Sequence, residues 1–111
     1  MPLLIAFLSW LVMSGSLRDP LSNAVLLYED ESAYNYIQVQ EDNYGNRYLY
    51  LNEGQGVHSQ WHQDILATGR TWDFFLTGPY FNAAPYAPDQ VQAAAIIGLA
   101  AGTIARQCTH V

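Results

Sequence analysis

The run Asp42-Asn43-Tyr44-Gly45-Asn46, set between two stretches of alternating residues, constrains this chain more than any other feature. Asn and Gly accept the backbone angles of a tight turn, Gly because it has no Cβ to clash, so the flanking segments are expected to return antiparallel as a hairpin. Tyr34 to Glu41 reads as the strand before the turn and Arg47 to Asn52 as the strand after it; Ala24 to Tyr28 reads as an earlier strand and Gln55 to His58 as a short later one. Tyr34, Tyr36, Gln38 and Gln40 share one face, Asn35, Ile37 and Val39 the other, and Tyr48 and Tyr50 point away from Leu49 and Leu51. A small sheet of this kind is expected to bury its aliphatic face. The tyrosines are then left for cross-strand packing, a second layer, a partner or a ligand.

Upstream, Pro2 to Met13 is almost wholly apolar, but about 12 residues fall short of the roughly 20 that a single-pass helix needs. No Lys or Arg precedes Arg18, so a signal peptide lacks its basic region, although Met13-Ser14-Gly15-Ser16 has a weakly cleavage-like pattern. The run reads as the end of a membrane helix or as an apolar helix packed on the sheet. Gly15 to Ser22 follows as a linker. Downstream, Trp61, Ile65 and Leu66 are spaced for a short helix over Gln60 to Ala67, and Thr71 stands where it caps a second helical turn, Trp72 to Leu76, before Gly78-Pro79. A Pro-punctuated loop, Pro79 to Pro88, leads to Ala93 to Ile97, which reads as a buried strand. That strand runs into the glycine turn Gly98 to Thr103 and a helix over Ile104 to Cys108, the opening of a βαβ unit.

Charge narrows the chemistry. Ten Asp and Glu face four Arg, with no Lys, for a net charge of −6, which speaks against nucleic acid or any other polyanion as partner. The single cysteine, Cys108, forms no internal disulfide and has no signposted partner for nucleophilic work. His58 and His62, four apart with Asp64 near, would share one helical face, but no third ligand is signposted and no metal is expected. Glu29-Asp30-Glu31 reads as a solvated turn ahead of a strand. The glycines of Gly98-x-x-x-Gly102 would let a ligand approach the backbone, with the following helix start facing an anion; a tight turn without a ligand explains the same residues. The turn is neither a Walker loop nor a complete dinucleotide fingerprint.

Four segments taken together resemble one family. Glu31-Ser32-Ala33-Tyr34-Asn35-Tyr36-Ile37-Gln38-Val39, Gly45 to Gln55, Ser59-Gln60-Trp61-His62-Gln63 and Ile96-Ile97-Gly98-Leu99-Ala100-Ala101-Gly102-Thr103 resemble, in order and spacing, the spermidine synthases, or polyamine aminopropyltransferases. The resemblance covers roughly residues 24 to 111. It is nearer to a bacterial branch in which the synthase-like domain follows a membrane region, through Trp72-Asp73-Phe74-Phe75-Leu76 and Pro79. It implies aminopropyl transfer from decarboxylated S-adenosylmethionine to a diamine, without a metal. It also implies cofactor contacts at Asn35, Gln55, Gly98, Ala100, Gly102 and Thr103, and a substrate pocket on Trp61 and His62. A homodimer, membrane contact through residues 2–13 and a cytoplasmic location at the inner membrane face are further implications. Two departures stand out: Ala101 replaces the family's Asp in the glycine turn and Gln63 its Glu, removing carboxylates that would hold a cationic amine. The ribose-binding acid and the general base would lie beyond Val111, so no catalytic residue falls within the chain.

The expected fold is α+β: a small antiparallel β-sheet domain followed by the first βα unit of a truncated Rossmann-like domain. Residues 1–22 are read as apolar helix and linker, 23–59 as the β domain, 60–90 as short helices and Pro-rich loop, and 91–111 as the start of the Rossmann-like part. A non-catalytic interaction or dimerisation module, and an S-adenosylmethionine-dependent methyltransferase-like domain, remain as alternatives.

Overall fold

Four antiparallel strands in the order β1-β2-β3-β4 form the centre of the molecule: β1 (Ala24–Glu31), β2 (Tyr36–Asp42), β3 (Arg47–Leu51) and β4 (Val57–Trp61). The computed structural model describes residues 2–13, 15–52, 56–83 and 88–110. A helix α1 (Pro2–Met13) precedes the sheet; a 3-10 helix Thr71–Phe81, a short 3-10 turn Pro88–Gln90 and helix α2 (Thr103–Cys108) follow it.

The β2–β3 hairpin forms at the expected turn. Asp42 accepts hydrogen bonds on Oδ1 from the backbone of Tyr44 and Asn46, and Gly45 adopts φ +81°, a left-handed angle that would strain a side chain. β1 runs three residues past the expected end, so Glu29, Asp30 and Glu31 pair with Gln38, Ile37 and Tyr36 inside the ladder and are not a turn. β2 starts at Tyr36, not Tyr34. Its partner Asn52 continues the pairing beyond β3, donating its N–H to the Tyr36 carbonyl at 2.7 Å. β4 lies later than expected, and its bulge against β3 falls between Leu49 and Tyr50.

Burial reverses the expected order of the two faces. Gln38, Gln40 and Tyr50 are the buried residues of β2 and β3, while Ile37, Val39, Leu49 and Leu51 are only half-buried. The segment 17–21 lies over the Gln and Tyr face, and its backbone polar groups need partners there. Gln38 donates to the Arg18 carbonyl at 2.7 Å, Gln40 accepts from Leu21 N–H at 3.1 Å, and Gln40 donates to Gln38 at 3.0 Å. Amide side chains meet those groups; aliphatic ones would leave them unpaired.

Three further expectations are corrected. Residues 62–68 are irregular, so no helix covers Gln60 to Ala67; the ring Nδ1 of His62 accepts the N–H groups of Asp64 and Ile65, each at 3.0 Å, and diverts them from helical pairing. The 3-10 helix begins after Arg70, without a side-chain cap from Thr71, and runs through Pro79. Ala93 to Ile97 is not a strand: residues 91–96 are irregular, and Ile97 is 99% exposed. An apolar strand of the parallel type needs neighbours to pair with and layers to cover it, and the described residues supply neither. The glycine turn and the helix after it are present, with Gly102 at φ +84° immediately before α2. α1 has no buried residue, and the molecule measures 76 × 30 × 20 Å along its principal axes.

Candidate functional site

α2 and the glycine turn are fastened to the outer edge of β4 by side-chain hydrogen bonds. The Thr103 hydroxyl accepts from Gln60 N–H and donates to Gln60 C=O, both at 2.9 Å. Ala101 N–H donates to Ser59 Oγ at 2.8 Å. Arg106 donates to the carbonyls of His62 at 2.6 Å and Gln63 at 3.0 Å. Gln107, only 1% exposed, donates to the Leu66 carbonyl at 3.2 Å and to Asp73 Oδ1 at 2.5 Å, while its Oε1 finds no partner among the described residues. Asp73 also accepts from Thr68 N–H, Thr68 Oγ and Gly69 N–H. Burial pushes its carboxyl upward in pKa, but these bonds outweigh it and hold the group below 3.8.

A cleft of about 360 Å³ opens between the aliphatic sheet face and this turn. Val39, Leu49 and the buried Ser59 line the sheet side; Ala101, Gly102 and Thr103 line the other. Arg47, Trp61 and Arg106, with Tyr48 and Gln60, complete it, the two guanidinium carbons lying 4.9 and 5.4 Å from the Trp61 ring centroid. Arg47 also pairs through Nε with Glu41 at 2.6 Å. No carboxylate lines the cleft among the described residues.

A second, more polar cleft of about 510 Å³ lies at the β1–β2 turn, lined by Arg18, Glu31, Ser32, Asn35, Tyr36 and Asn52, with Ala33 and Tyr34. Asn52 holds a left-handed φ of +54°, its Nδ2 donating to Asn35 Oδ1 at 3.0 Å. Arg18 donates to the Asn52 carbonyl at 2.5 Å and lies 5.3 Å over the Tyr36 ring. The Tyr36 hydroxyl donates to Glu29, which also accepts from the backbone N–H groups of Leu17 and Arg18. Burial and the Glu29 carboxylate push the Tyr36 phenol up to about 12, and the same bond holds Glu29 below 4.5.

The residues singled out from sequence are therefore divided. Trp61, Gly102 and Thr103 share the first cleft; Asn35 lies in the second. Gly98, at φ +82°, and Ala100, at φ +48°, are exposed on the turn, outside both cleft linings. Gln55 lies outside the described residues. His62 is committed on both ring nitrogens, Nε2 with the Tyr44 carbonyl at 3.1 Å and Nδ1 with the Asp64 and Ile65 amides. His58 sits in β4 and His62 just after it, so their spacing does not create a shared helical face. Among the described residues no three of His, Cys, Asp and Glu gather as a metal site.

Arg47, Arg106, Ser59 and Asp73 were not visible as site residues in the sequence. One signal bears on the cations: each of the four arginines lies over an aromatic ring, Arg18 on Tyr36, Arg70 on Tyr48, and Arg47 and Arg106 on Trp61.

Comparison with known proteins finds one informative relative. The chain is 41% identical over 83 residues to a "Probable polyamine aminopropyl transferase" of Bifidobacterium longum (strain NCC 2705). The aligned part is 74% of this chain and 17% of that protein, so the chain spans about a sixth of its curated relative. No family model matches, and no solved structure matches.

Proposed function

We propose that this chain is part of a spermidine-synthase-like transferase, one that moves an aminopropyl group from decarboxylated S-adenosylmethionine to a diamine. The 41% identity to a probable polyamine aminopropyl transferase carries this reading. The geometry adds that Trp61, Gly102 and Thr103, named from separate motifs, line one cleft. In the reaction a deprotonated amine nitrogen attacks the aminopropyl carbon in line, the carbon–sulfur bond breaks, and its electron pair leaves with methylthioadenosine. The described cleft offers no carboxylate to take the amine proton, and its two guanidiniums repel a diamine. On this reading the chain contributes a wall for the nucleoside side of a site, and the group that takes the amine proton lies outside the described cleft. Asn35, Gln55, Gly98 and Ala100 are assigned to the cofactor by the family pattern alone, since none of them lines the described first cleft, and the turn after residue 97 is assigned by the same pattern to the start of a Rossmann-like unit. A methyltransferase-like reading draws on the same turn, but the relative's name favours aminopropyl transfer.

The test is a chimera. Residues 24–111 replace the corresponding segment of the Bifidobacterium longum protein, and spermidine formation from decarboxylated S-adenosylmethionine and putrescine is assayed. Turnover within about tenfold of the parent, or about 1.4 kcal/mol in barrier, supports the reading. A folded chimera without turnover overturns it.

A second role rests on α1. Leu3, Leu4, Ile5, Phe7, Leu8, Trp10, Leu11, Val12 and Met13 are each more than half exposed, and apolar residues occupy every side of the helix. A helix apolar all round suits surroundings apolar all round. We infer that α1 enters the apolar part of a lipid surface. Among the described residues no helix is long and apolar enough to cross a membrane.

A further inference from the structure

We propose that the cleft between Arg47, Trp61 and Arg106 binds a small monocarboxylate with a flat apolar body. The proposal concerns the same cleft that the transferase reading gives to a nucleoside wall; because neither decarboxylated S-adenosylmethionine nor a diamine carries a carboxylate, benzoate binding tests it separately from turnover.

Charge selects the ligand's sign. In a chain of net charge −6, two of only four cationic side chains line this one cleft, and no carboxylate lines it among the described residues. Glu41 stands beside the rim on Arg47 and offsets one of the two positive charges, so the local balance matches a monoanion. Both guanidiniums keep donors for that anion. Arg47 commits its Nε–H to Glu41, and Arg106 commits one N–H from each Nη to the carbonyls of His62 and Gln63, from the five that a guanidinium carries. Arg106 is also pre-positioned: those two carbonyls hold it over Trp61, which lowers the entropy lost when an anion arrives.

The interior selects the ligand's body. Val39 and Leu49 give an apolar floor, and the glycine turn with Ala101 forms a wall without bulky side chains. Ser59, 4% exposed, accepts the Ala101 N–H on Oγ and so retains its own O–H for donation. An apolar ring between that floor and wall, with its carboxylate at the rim, fits the chemistry of the lining.

The probe is sodium benzoate, titrated into the isotopically labelled full chain and followed by amide and indole N–H chemical shifts, with benzylamine as the same ring bearing a positive charge. Saturable shifts confined to Trp61 and the amides of residues 47–49, 59–61 and 101–106, with benzylamine about tenfold weaker or silent, are the expected result. Arg47→Gln should weaken benzoate about tenfold, the loss of a charge-assisted contact. Glu41→Gln should strengthen it several-fold by freeing Arg47, and this variant decides the matter if Arg47→Gln fails to fold. Equal binding of benzoate and benzylamine, benzoate shifts spread equally to Arg18 and Arg70, or affinity unchanged in both variants would overturn the proposal.

Discussion

The hydroxyl of Thr103 stands where a fifth strand would stand, accepting the N–H of Gln60 and donating to its C=O, both at 2.9 Å. β4 is an edge strand, and exposed strand edges invite pairing with other chains. One buried side chain from α2 occupies this part of the edge and, by the same contact, places the glycine turn over the aliphatic sheet face. Thr103→Val keeps the shape and removes both bonds. It should destabilise the chain by about 1–3 kcal/mol, the cost of leaving the half-buried backbone groups of Gln60 unpaired, whereas Thr103→Ser should restore most of it. Denaturant unfolding, with amide exchange at Gln60, measures both.

Asp73 joins the 3-10 helix, the loop at Thr68-Gly69 and α2 through Gln107. Its carboxyl is held below 3.8 when folded, so its contribution is fully present above that unfolded value and is lost as pH falls through the lower folded one. Asp73→Asn should lower stability near neutrality by about 1–3 kcal/mol and flatten the acid limb of the stability–pH curve. Asp42 and Glu29, depressed in the same direction, keep the remainder of that limb. Urea midpoints between pH 2 and pH 7 test the sign; an acid limb equally steep in the variant would refute the assignment.

Tyr36 gives the opposite dependence. Its phenol is pushed up from 10.0 to about 12 by burial and by Glu29, so the neutral form is favoured in the fold. That stability is complete below pH 10 and disappears as pH rises toward about 12. Tyr36→Phe should remove this alkaline dependence and cost about 1 kcal/mol at neutral pH, since Glu29 retains Leu17, Arg18 and Gln38 as donors. Ultraviolet titration of the wild type against the variant isolates the high-pH phenol.

α1 should carry the chain to vesicles. Co-sedimentation with neutral phosphatidylcholine vesicles is expected for the full chain, and Leu4→Asp with Leu8→Asp should reduce it at least about tenfold, given roughly 2.5–3.5 kcal/mol per buried charge. Far-UV circular dichroism of the sheet should not change, because α1 contributes no buried residue. In the absence of lipid the same apolar helix should drive self-association, read by sedimentation; equal vesicle binding by both chains would remove the lipid role.

The hairpin was legible in the sequence because its cause is local. Asp42, Gly45 and Asn46 set the turn within five residues, and two-residue alternation on either side sets the strands. The glycine turn and α2 were legible for the same reason, Gly102 taking the left-handed angle that ends the turn. Which sheet face is covered could not be read from alternation. Gln38 and Gln40 are buried because segment 17–21 brings backbone groups from about twenty positions away that an amide side chain satisfies and an aliphatic one does not. The helix expected at Gln60 to Ala67 failed likewise: the carbonyls of His62, Gln63 and Leu66 are taken by Arg106 and Gln107, more than forty positions away. The β2–β3 hairpin could be read from the residues alone, because the energy of its turn lies in neighbouring φ and ψ angles and the turn fixes the pairing of the two strands that flank it. The cleft depends on long-range packing, because Trp61 meets Arg47 through the β3–β4 register and Arg106 through a helix docked by side-chain hydrogen bonds.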